Sequence, residues 1–359
     1  MSFSRLHRRA FFRWFTLLYP IAILLTLLWG ESASYLWCRL RWRVPHPVST
    51  ATNSLGILIV ADPQLVGFKN ENHMAGPLTR WDSDRFLSKG FSQALSATNP
   101  DLIVFLGDLF DEGLEANDAE LEWTLSRFNA IFESNIPKIF ISGDNDVGGE
   151  GEPVQSLLTT RFGQLFSNSF PSSNTIFDLL SFTEVNLMNG EVTPIRESSG
   201  GPELRVILSH VPFAFPSYHD AGKFVATLAP DLILSAHDHK ASIYHLSRGG
   251  GGRVNYTDLT AANDIRKETV GGDRPILELQ TPTCSYRMGT IDVGYGFVRI
   301  NRLGDSDRFQ VAFSILWLTS RFYALMLYAA MLAMGFLVLF VELGFLLFSR
   351  RFKYRLLMR

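Results

Sequence analysis

The chain has 359 residues, 47% of them hydrophobic and 19% charged, with a formal net charge of −2. That length excludes a peptide hormone or a small disulfide scaffold and suits one large domain or two ordinary ones. The balanced charge argues against a nucleic-acid binder, and so much apolar surface excludes a disordered chain.

The charge is unevenly spread. Residues 1–30 carry Arg5, Arg8, Arg9 and Arg13 and no acid, and residues 322–359 carry five basic residues against Glu342 alone. The acidic excess therefore lies between two basic, greasy ends. Residues 14–29 are nearly uninterrupted hydrocarbon, broken by Thr16, Thr26 and Pro20. Taken over 11–30, the run approaches the ~20 residues of a spanning helix, where proline is tolerated. A cleaved signal peptide is the rival reading, with Ser32-Ala33-Ser34 as its cleavage site; the length of the run favours an uncleaved anchor. Residues 31–54 read as a juxtamembrane linker.

From Leu55 strands and helices alternate. Leu55–Ala61, Asp101–Leu106 and Lys138–Ser142 read as buried strands. Between them Ser83–Thr98 and Asp118–Ser134 carry apolar residues at helical spacing. That order predicts a parallel sheet covered on both faces. Further strands are expected at Thr175–Leu180, Phe182–Met188, Leu204–Ser209, Asp231–Ser235, Ser242–Leu246, Ile276–Gln280 and Tyr295–Ile300, with one short helix at Ala221–Ala229. The closer spacing predicts a second sheet packed on the first, and Asn189–Glu203 and Ser247–Arg253 read as surface loops. The α/β domain spans 55–300. Residues 301–321 read as a linker, 322–348 as a second spanning helix and 349–359 as a basic tail.

Two spans place both termini on one side. The basic tails make that side cytoplasmic and the middle lumenal or extracellular. Asn255-Tyr256-Thr257 is a glycosylation sequon. Cys38 and Cys284 imply no disulfide framework, although the two could pair.

Five strand ends carry residues able to hold a metal. Asp62-Pro63-Gln64 follows the first strand, Gly107-Asp108 the second, and Gly143-Asp144-Asn145-Asp146 the third. His210 follows Leu204–Ser209, and His237-Asp238-His239 follows Asp231–Ser235. Ligands of open α/β sheets bind beyond the carboxyl ends of strands. Any one Gly-Asp turn or lone histidine is ordinarily structural. The ordered set together would gather like charges at high cost unless cations neutralise them. Asp144-Asn145-Asp146 is no calcium loop, since its twelfth position is Gln155.

In this order the motifs resemble the calcineurin-like metallophosphoesterases over about residues 55–300. The stretches ADPQL, FLGDLFDEG, GDNDVGGEG, LSHVPF, SAHDHK and Ser285-Tyr286-Arg287 are similar to a membrane-anchored branch that remodels GPI anchors. The resemblance implies a two-sheet αββα sandwich and two divalent ions, Mn first, with Fe or Zn as alternatives. It implies Asp62, Gln64, Asp108 and His239 as ligands of one ion. Asp108 would bridge to a second ion held also by Asp144, His210 and His237. Two such ions clamp both oxygens of a phosphoryl transfer and activate water.

The chain departs from the family at Gln64, where histidine is common, at Asp144, where asparagine is usual, and at Asn145, where a histidine aids the leaving group. His73 and His219 are candidates for that missing acid, and Arg287 for a substrate contact. The implied activity is a membrane-bound phosphodiesterase that removes an ethanolamine-phosphate side branch from GPI anchors. Its partners would be GPI-anchored proteins and cargo receptors of the early secretory pathway. The alternatives are a non-catalytic factor that binds GPI-anchored cargo, and a phosphatase of a soluble substrate.

Overall fold

The computed structural model describes residues 2–48, 54–171, 176–198, 203–214, 221–250, 252–259, 264–304 and 308–357. The chain divides into two units, one formed by Met1–Leu36 with Ser320–Arg359 and the other by Trp37–Thr319.

The first unit holds two long helices. α1 (Ser2–Leu28) contains Pro20 and runs through a π-helical turn at Trp29–Ala33 into α2 (Ser34–Arg41). α8 spans Arg321–Leu357. Stretches Phe12–Arg41 and Arg321–Leu347 are long and apolar enough to cross a membrane, which supports membrane association. The helices approach closely at two glycines, because a side chain on Gly30 would strike Tyr328 and one on Gly335 would strike Tyr19. Polar groups join them as well. Tyr19 Oη donates to Met331 O at 2.6 Å, Arg321 donates to Gly30 O at 2.9 Å and to Glu31 at 2.7 Å, and Tyr328 donates to Glu31 at 2.9 Å.

The second unit is a sandwich of two mixed sheets. Its first sheet has the order β10 (Arg266–Val270), β13 (Phe309–Leu318), β12 (Val293–Arg302), β1 (Ser54–Val60), β2 (Leu102–Leu106), β3 (Lys138–Ile141). β1, β2 and β3 are parallel. The second sheet has the order β5 (Glu191–Arg196), β4 (Leu180–Asn186), β6 (Leu204–Leu208), β7 (Leu232–Ser235), β11 (Ile276–Gln280), β8 (Ser242–Leu246), β9 (Arg253–Asp258). Here β4, β6, β7 and β11 are parallel.

Strand periodicity explains the layers. Leu55, Ile57 and Ile59 of β1, with Leu102, Val104 and Leu106 of β2, face Val206, Leu208, Leu232 and Leu234 across the space between the sheets. The alternate residues face outward, toward helices. On the first sheet Phe105 meets Phe132 and Phe128 of the α4 region (α4, Asp118–Ile131), while Phe91 of α3 (Gly76–Thr98) meets Phe132. On the second, Val225 of α7 (Ala221–Leu228) packs with Ile207 and Ile233. The result is the αββα arrangement. α4 starts at a capping box in which Asn117 and Glu120 each accept the other's backbone N–H at 3.0 Å.

Several boundaries differ from the sequence reading. Residues 31–54 are helical as far as Arg41, because the π turn absorbs Gly30 without breaking the helix. Residues 301–321 are no linker. β13 pairs with β12 over ten residues, so the apolar FQVAFSILWL is core strand and not the approach to a span. The strand expected at Thr175–Leu180 is a 3-10 turn at Phe177–Leu179, after which β4 begins; Thr175 lies outside the described residues. β5 crosses the expected loop Asn189–Glu203, and β9 begins where the Ser247–Arg253 loop ends. α3 begins at Gly76, seven residues before Ser83, and α6 (Ser156–Leu165) adds a helix. Cys38 and Cys284 are both free and buried.

Candidate metal centre

Each expected strand end delivers its residue to one rim. Asp62 follows β1 and Asp108 follows β2, while Asp144 opens the one-turn helix α5 (Asp144–Val147) after β3. From the second sheet His210 follows β6, and His237 and His239 follow β7. Parallel strands point their carboxyl ends the same way, which is why residues so distant in sequence meet.

Two ligand groups result, one of Asp144, His210 and His237, the other of Asp62, Asp108 and His210. Within each group the ligand atoms lie within 4.8 Å of one another. His210 Nε2 lies 2.9 Å from Asp144 Oδ1 and 3.4 Å from Asp108 Oδ1. His237 Nδ1 lies 3.1 Å from Asp144 Oδ1. His210 Nδ1 lies 2.7 Å from Leu106 O, which fixes the ring so that Nε2 faces the carboxylates.

Asp108 is steered from both sides. Gln64 Nε2 donates to its Oδ2 at 2.7 Å, Asn145 Nδ2 donates to the same oxygen at 2.8 Å, and Asn145 N donates to Oδ1 at 3.0 Å. Asn145 therefore orients a ligand and carries no transferable proton. His239 sits on the loop of His237, half-buried and outside both groups.

The backbone here is strained. Asp62, Gln64, Asp108, His237 and His239 have φ of 45°, 38°, 51°, 70° and 58°. Among the described non-glycine residues only Asn99 and Ala229 share the left-handed region. Each such residue costs about 1–2 kcal/mol, and strain of this kind concentrates at functional sites. Gly107, at φ 87°, admits no side chain, since a Cβ would lie 2.7 Å from both His210 Nδ1 and Gly143 N.

The electrostatics fit a cation. Asp62 is fully buried and neither carboxylate oxygen has a hydrogen-bond partner. Burial pushes its carboxyl up to about 8; the Asp108 and Asp144 charges add to this and those of His210 and His237 oppose it. Burial likewise raises Asp108. Burial raises Asp144 too, but hydrogen bonds from His210 and His237 outweigh it and hold that carboxyl down. Burial lowers His239, with the His237 and His210 charges, to about 4. Mixed carboxylate and imidazole donors suit Mn, Fe or Zn better than Ca.

Other expected residues fall elsewhere. His73 is exposed on the loop before α3, its Nε2 2.7 Å from Glu71 Oε2, and Arg287 pairs with the same Glu71. Asn255 is exposed on β9. His219 lies outside the described residues.

Three acids and amides have supporting roles that the sequence reading did not assign, and of these only Asp146 was named there, within a strand-end motif. Buried Asp146 accepts from the N–H of Gly143 at 3.0 Å, Leu109 at 3.0 Å and Phe110 at 3.2 Å, tying the Asp108 and Asp144 turns together. Glu278 on β11 accepts from Phe213 N and Ser235 Oγ, both at 2.8 Å. Gln280, two residues on, donates to Ala236 O at 3.1 Å and Asp238 at 2.9 Å. These side chains brace the loops bearing His210 and His237. A lone polar residue in an apolar strand run was the available signal.

A profile of the calcineurin-like phosphoesterases matches residues 55–241. The chain is 30% identical over 136 residues to the metallophosphoesterase 1 homolog of Drosophila melanogaster, covering 37% of this chain and 35% of that one. It is 25% identical over 215 residues to cell division control protein 1 of Saccharomyces cerevisiae, covering 55% and 43%. The matched stretches thus span well under half of these relatives. Among solved structures, a metallophosphoesterase from Sphaerobacter thermophilus aligns at 12% identity and a TM-score of 0.35, covering 73% of this chain and 88% of that one.

Proposed function

The chain belongs to the calcineurin-like phosphoesterases, hydrolases of phosphoester bonds with a dinuclear metal centre, and on that premise we propose that it is a membrane-bound phosphodiesterase. The observation that carries the reading is the pair of ligand groups sharing His210, with the unpartnered carboxylate of Asp62 in one of them. Asp62, Gln64 and Asp108 would hold one ion, with His239 as a further ligand. Asp108, Asp144, His210 and His237 would hold the other. The ions, Mn by the family resemblance and Fe or Zn equally within the donor chemistry, would supply an activated water and charge stabilisation at the phosphorus. Gln64 and Asn145 keep the Asp108 carboxylate facing both groups.

The substrate we assign is the ethanolamine-phosphate side branch of GPI anchors. Support comes from the motif resemblance and from two spanning helices around the domain. GPI-anchored proteins and their cargo receptors would then be partners. The location would be the endoplasmic reticulum, the Golgi or the compartment between them, with the domain lumenal and both termini cytoplasmic. Asn145 favours one second reading, a non-catalytic cargo-binding factor, because it supplies no proton to a leaving alkoxide.

Turnover separates the two. Full-length protein loaded with Mn is incubated with a GPI glycan bearing the side branch, and the product is weighed by mass spectrometry. Loss of ethanolamine phosphate is expected, with Asp108→Asn losing both turnover and metal. Binding without mass loss in metal-loaded protein would favour the cargo factor. Turnover of soluble phosphoesters alone would favour a phosphatase.

A further inference from the structure

Asn145 leaves the centre without the proton that an alkoxide leaving group requires, and we infer that Asp111 supplies it. The inference rests on the phosphodiesterase reading above and deepens it. A proton donor has to stand on the ligand rim with a titratable group that the fold has not already consumed. His73 fails that condition. Its Nδ1 accepts the Ala75 N–H at 3.2 Å and its Nε2 lies 2.7 Å from Glu71 Oε2. Asp111, Glu112, Asp146 and Asp238 are the carboxyl residues within four positions of a proposed ligand that are not ligands themselves. Glu112 is buried, and its two oxygens accept the N–H of Lys69 at 2.8 Å and of Asn70 at 2.6 Å. Asp146 is buried and holds the N–H groups of Gly143, Leu109 and Phe110. Asp238 accepts from Gln280 on β11. Each of these three is engaged in holding a loop. Asp111 differs: it is half-buried, and its carboxyl meets the side chain of Asn70.

The backbone sets Asp111 beside the centre. The two ligand-bearing segments after β1 and β2 run side by side. Gln64 N donates to Asp108 O at 2.9 Å, Leu65 N to Leu109 O at 3.0 Å, and Asp111 N to Leu65 O at 3.1 Å. Asp111 follows Asp108 by three residues, so their Cα atoms are at most about 11 Å apart. The same turn packs on Asn145, because a Cβ on Gly113 would lie 2.5 Å from Asn145 O. Arg161 fixes the turn there, donating to Gly113 O at 2.6 Å and to Ala116 O at 3.1 Å. Asp111 thus sits on a turn bounded by the bridging carboxylate of Asp108 and by the residue that lacks the proton.

The surrounding charges suit the role. Burial raises the Asp111 carboxyl above its ordinary range; the Asn70 hydrogen bond and the Arg287 charge oppose this, and the Glu112 and Asp108 charges add to it. In the step, the oxygen of water bonds to phosphorus and gives a proton to solvent. The bond from phosphorus to the leaving oxygen breaks, and that oxygen keeps the electron pair and takes the Asp111 proton. An alcohol departs, and the Asp111 carboxylate regains its proton from solvent. Such a donor fits a diester whose leaving group is a weakly acidic alcohol, such as a sugar hydroxyl. Aryl esters and anhydrides, whose leaving groups depart as stable anions, gain little from it.

The test uses the full chain in detergent, loaded with Mn, and the variant Asp111→Asn, which keeps the side-chain shape and removes the proton. Its Mn content should equal that of the wild type; lost metal would make Asp111 a support of the ligands and overturn the acid role. The infrared difference between wild type and variant should contain a protonated-carboxyl band at a pH above the ordinary carboxylate range. A carboxylate band alone at that pH also overturns it. Turnover is then compared on bis(p-nitrophenyl) phosphate, which releases a stable anion, and on glycerophosphoethanolamine, which releases an alkoxide. On the second substrate kcat should fall by about 10²–10⁴-fold with KM little changed, and on the first by far less. The decline of wild-type kcat with rising pH on glycerophosphoethanolamine should be absent from the variant. Equal losses on both substrates, or loss on neither, refute the assignment. A wild type that cleaves only the aryl diester refutes it too and leaves the phosphoesterase chemistry standing. A wild type inactive on both sinks the phosphodiesterase reading and the acid role together.

Discussion

Asp62 is the residue whose burial is least compensated by the protein. A carboxyl raised to about 8 stabilises the fold only while protonated, and its contribution is lost as pH rises from the ordinary carboxylate range through that value. At neutral pH in chelated protein, Asp62→Asn should therefore raise the melting temperature, by several degrees. In metal-loaded protein the sign reverses, because the variant lacks an anionic ligand and gains little from the cation. Melting curves with chelator and with Mn check both signs; a variant that gains as much from Mn as the wild type removes Asp62 from the centre. Asp62, Asp108, Asp144, His210 and His237 were legible because each directly follows an apolar strand run. Glu278 and Gln280 were not, nor was the bracing role of Asp146 within its strand-end motif, since their partners lie on other elements. His239 was legible as a strand-end histidine, yet its place outside the two tight groups is set by loop geometry that spacing does not encode.

At the scale of elements, buried central strands announced themselves while edge strands did not. β1 and β2 are covered on both faces, so beyond Ser54 every residue is apolar and the run is continuous. β5, β9 and β10 lie at sheet edges and carry mostly polar or exposed side chains; β5 read as loop, and β9 and β10 gave no strand signal. β13 was missed although its residues are apolar, because 301–321 lie directly before a span and read as its linker. β11 illustrates what a central strand can hide. Burial raises its Glu278 carboxyl to about 7, against hydrogen bonds from Ser235 and Phe213. The native state thus keeps its proton in the window from about 4.5 to about 7, and stability falls as pH rises through it. Glu278→Gln keeps an acceptor without the charge. In chelated protein it should match the wild type near pH 4.5 and exceed it at pH 8 by at most about 3 kcal/mol. Denaturation midpoints across pH test this, and parallel curves would refute it. In the two-helix unit, Glu31 and Arg321 form a largely buried pair. Either alanine variant should cost about 3 kcal/mol, and the double variant less than the sum of the singles. Additive losses in detergent melts would show that the pair is not coupled.

For the whole molecule, the low net charge is a sum over regions of opposite sign. The two terminal segments each carry a basic excess, and the acidic excess lies in the residues between them. With both candidate spans inserted, the positive-inside rule would send the tails to the cytoplasm and the sandwich to the lumenal or extracellular side, as the proposed function requires. Asn255 offers a reporter of that topology. It lies on β9, the outermost strand of the second sheet, with its side chain exposed and its Oδ1 accepting from Tyr256 N at 2.8 Å. An acceptor on an exposed edge is open to glycosylation, which occurs only on the lumenal side. Synthesis with microsomes should therefore add one glycan, abolished by Asn255→Gln. Protease added outside sealed vesicles should trim the ends and leave the sandwich intact until detergent is added. Digestion of the sandwich in sealed vesicles would place it in the cytoplasm. That outcome would exclude a lumenal GPI substrate while leaving the metal centre and its phosphoester chemistry untouched, because the ligand geometry depends on neither orientation nor compartment.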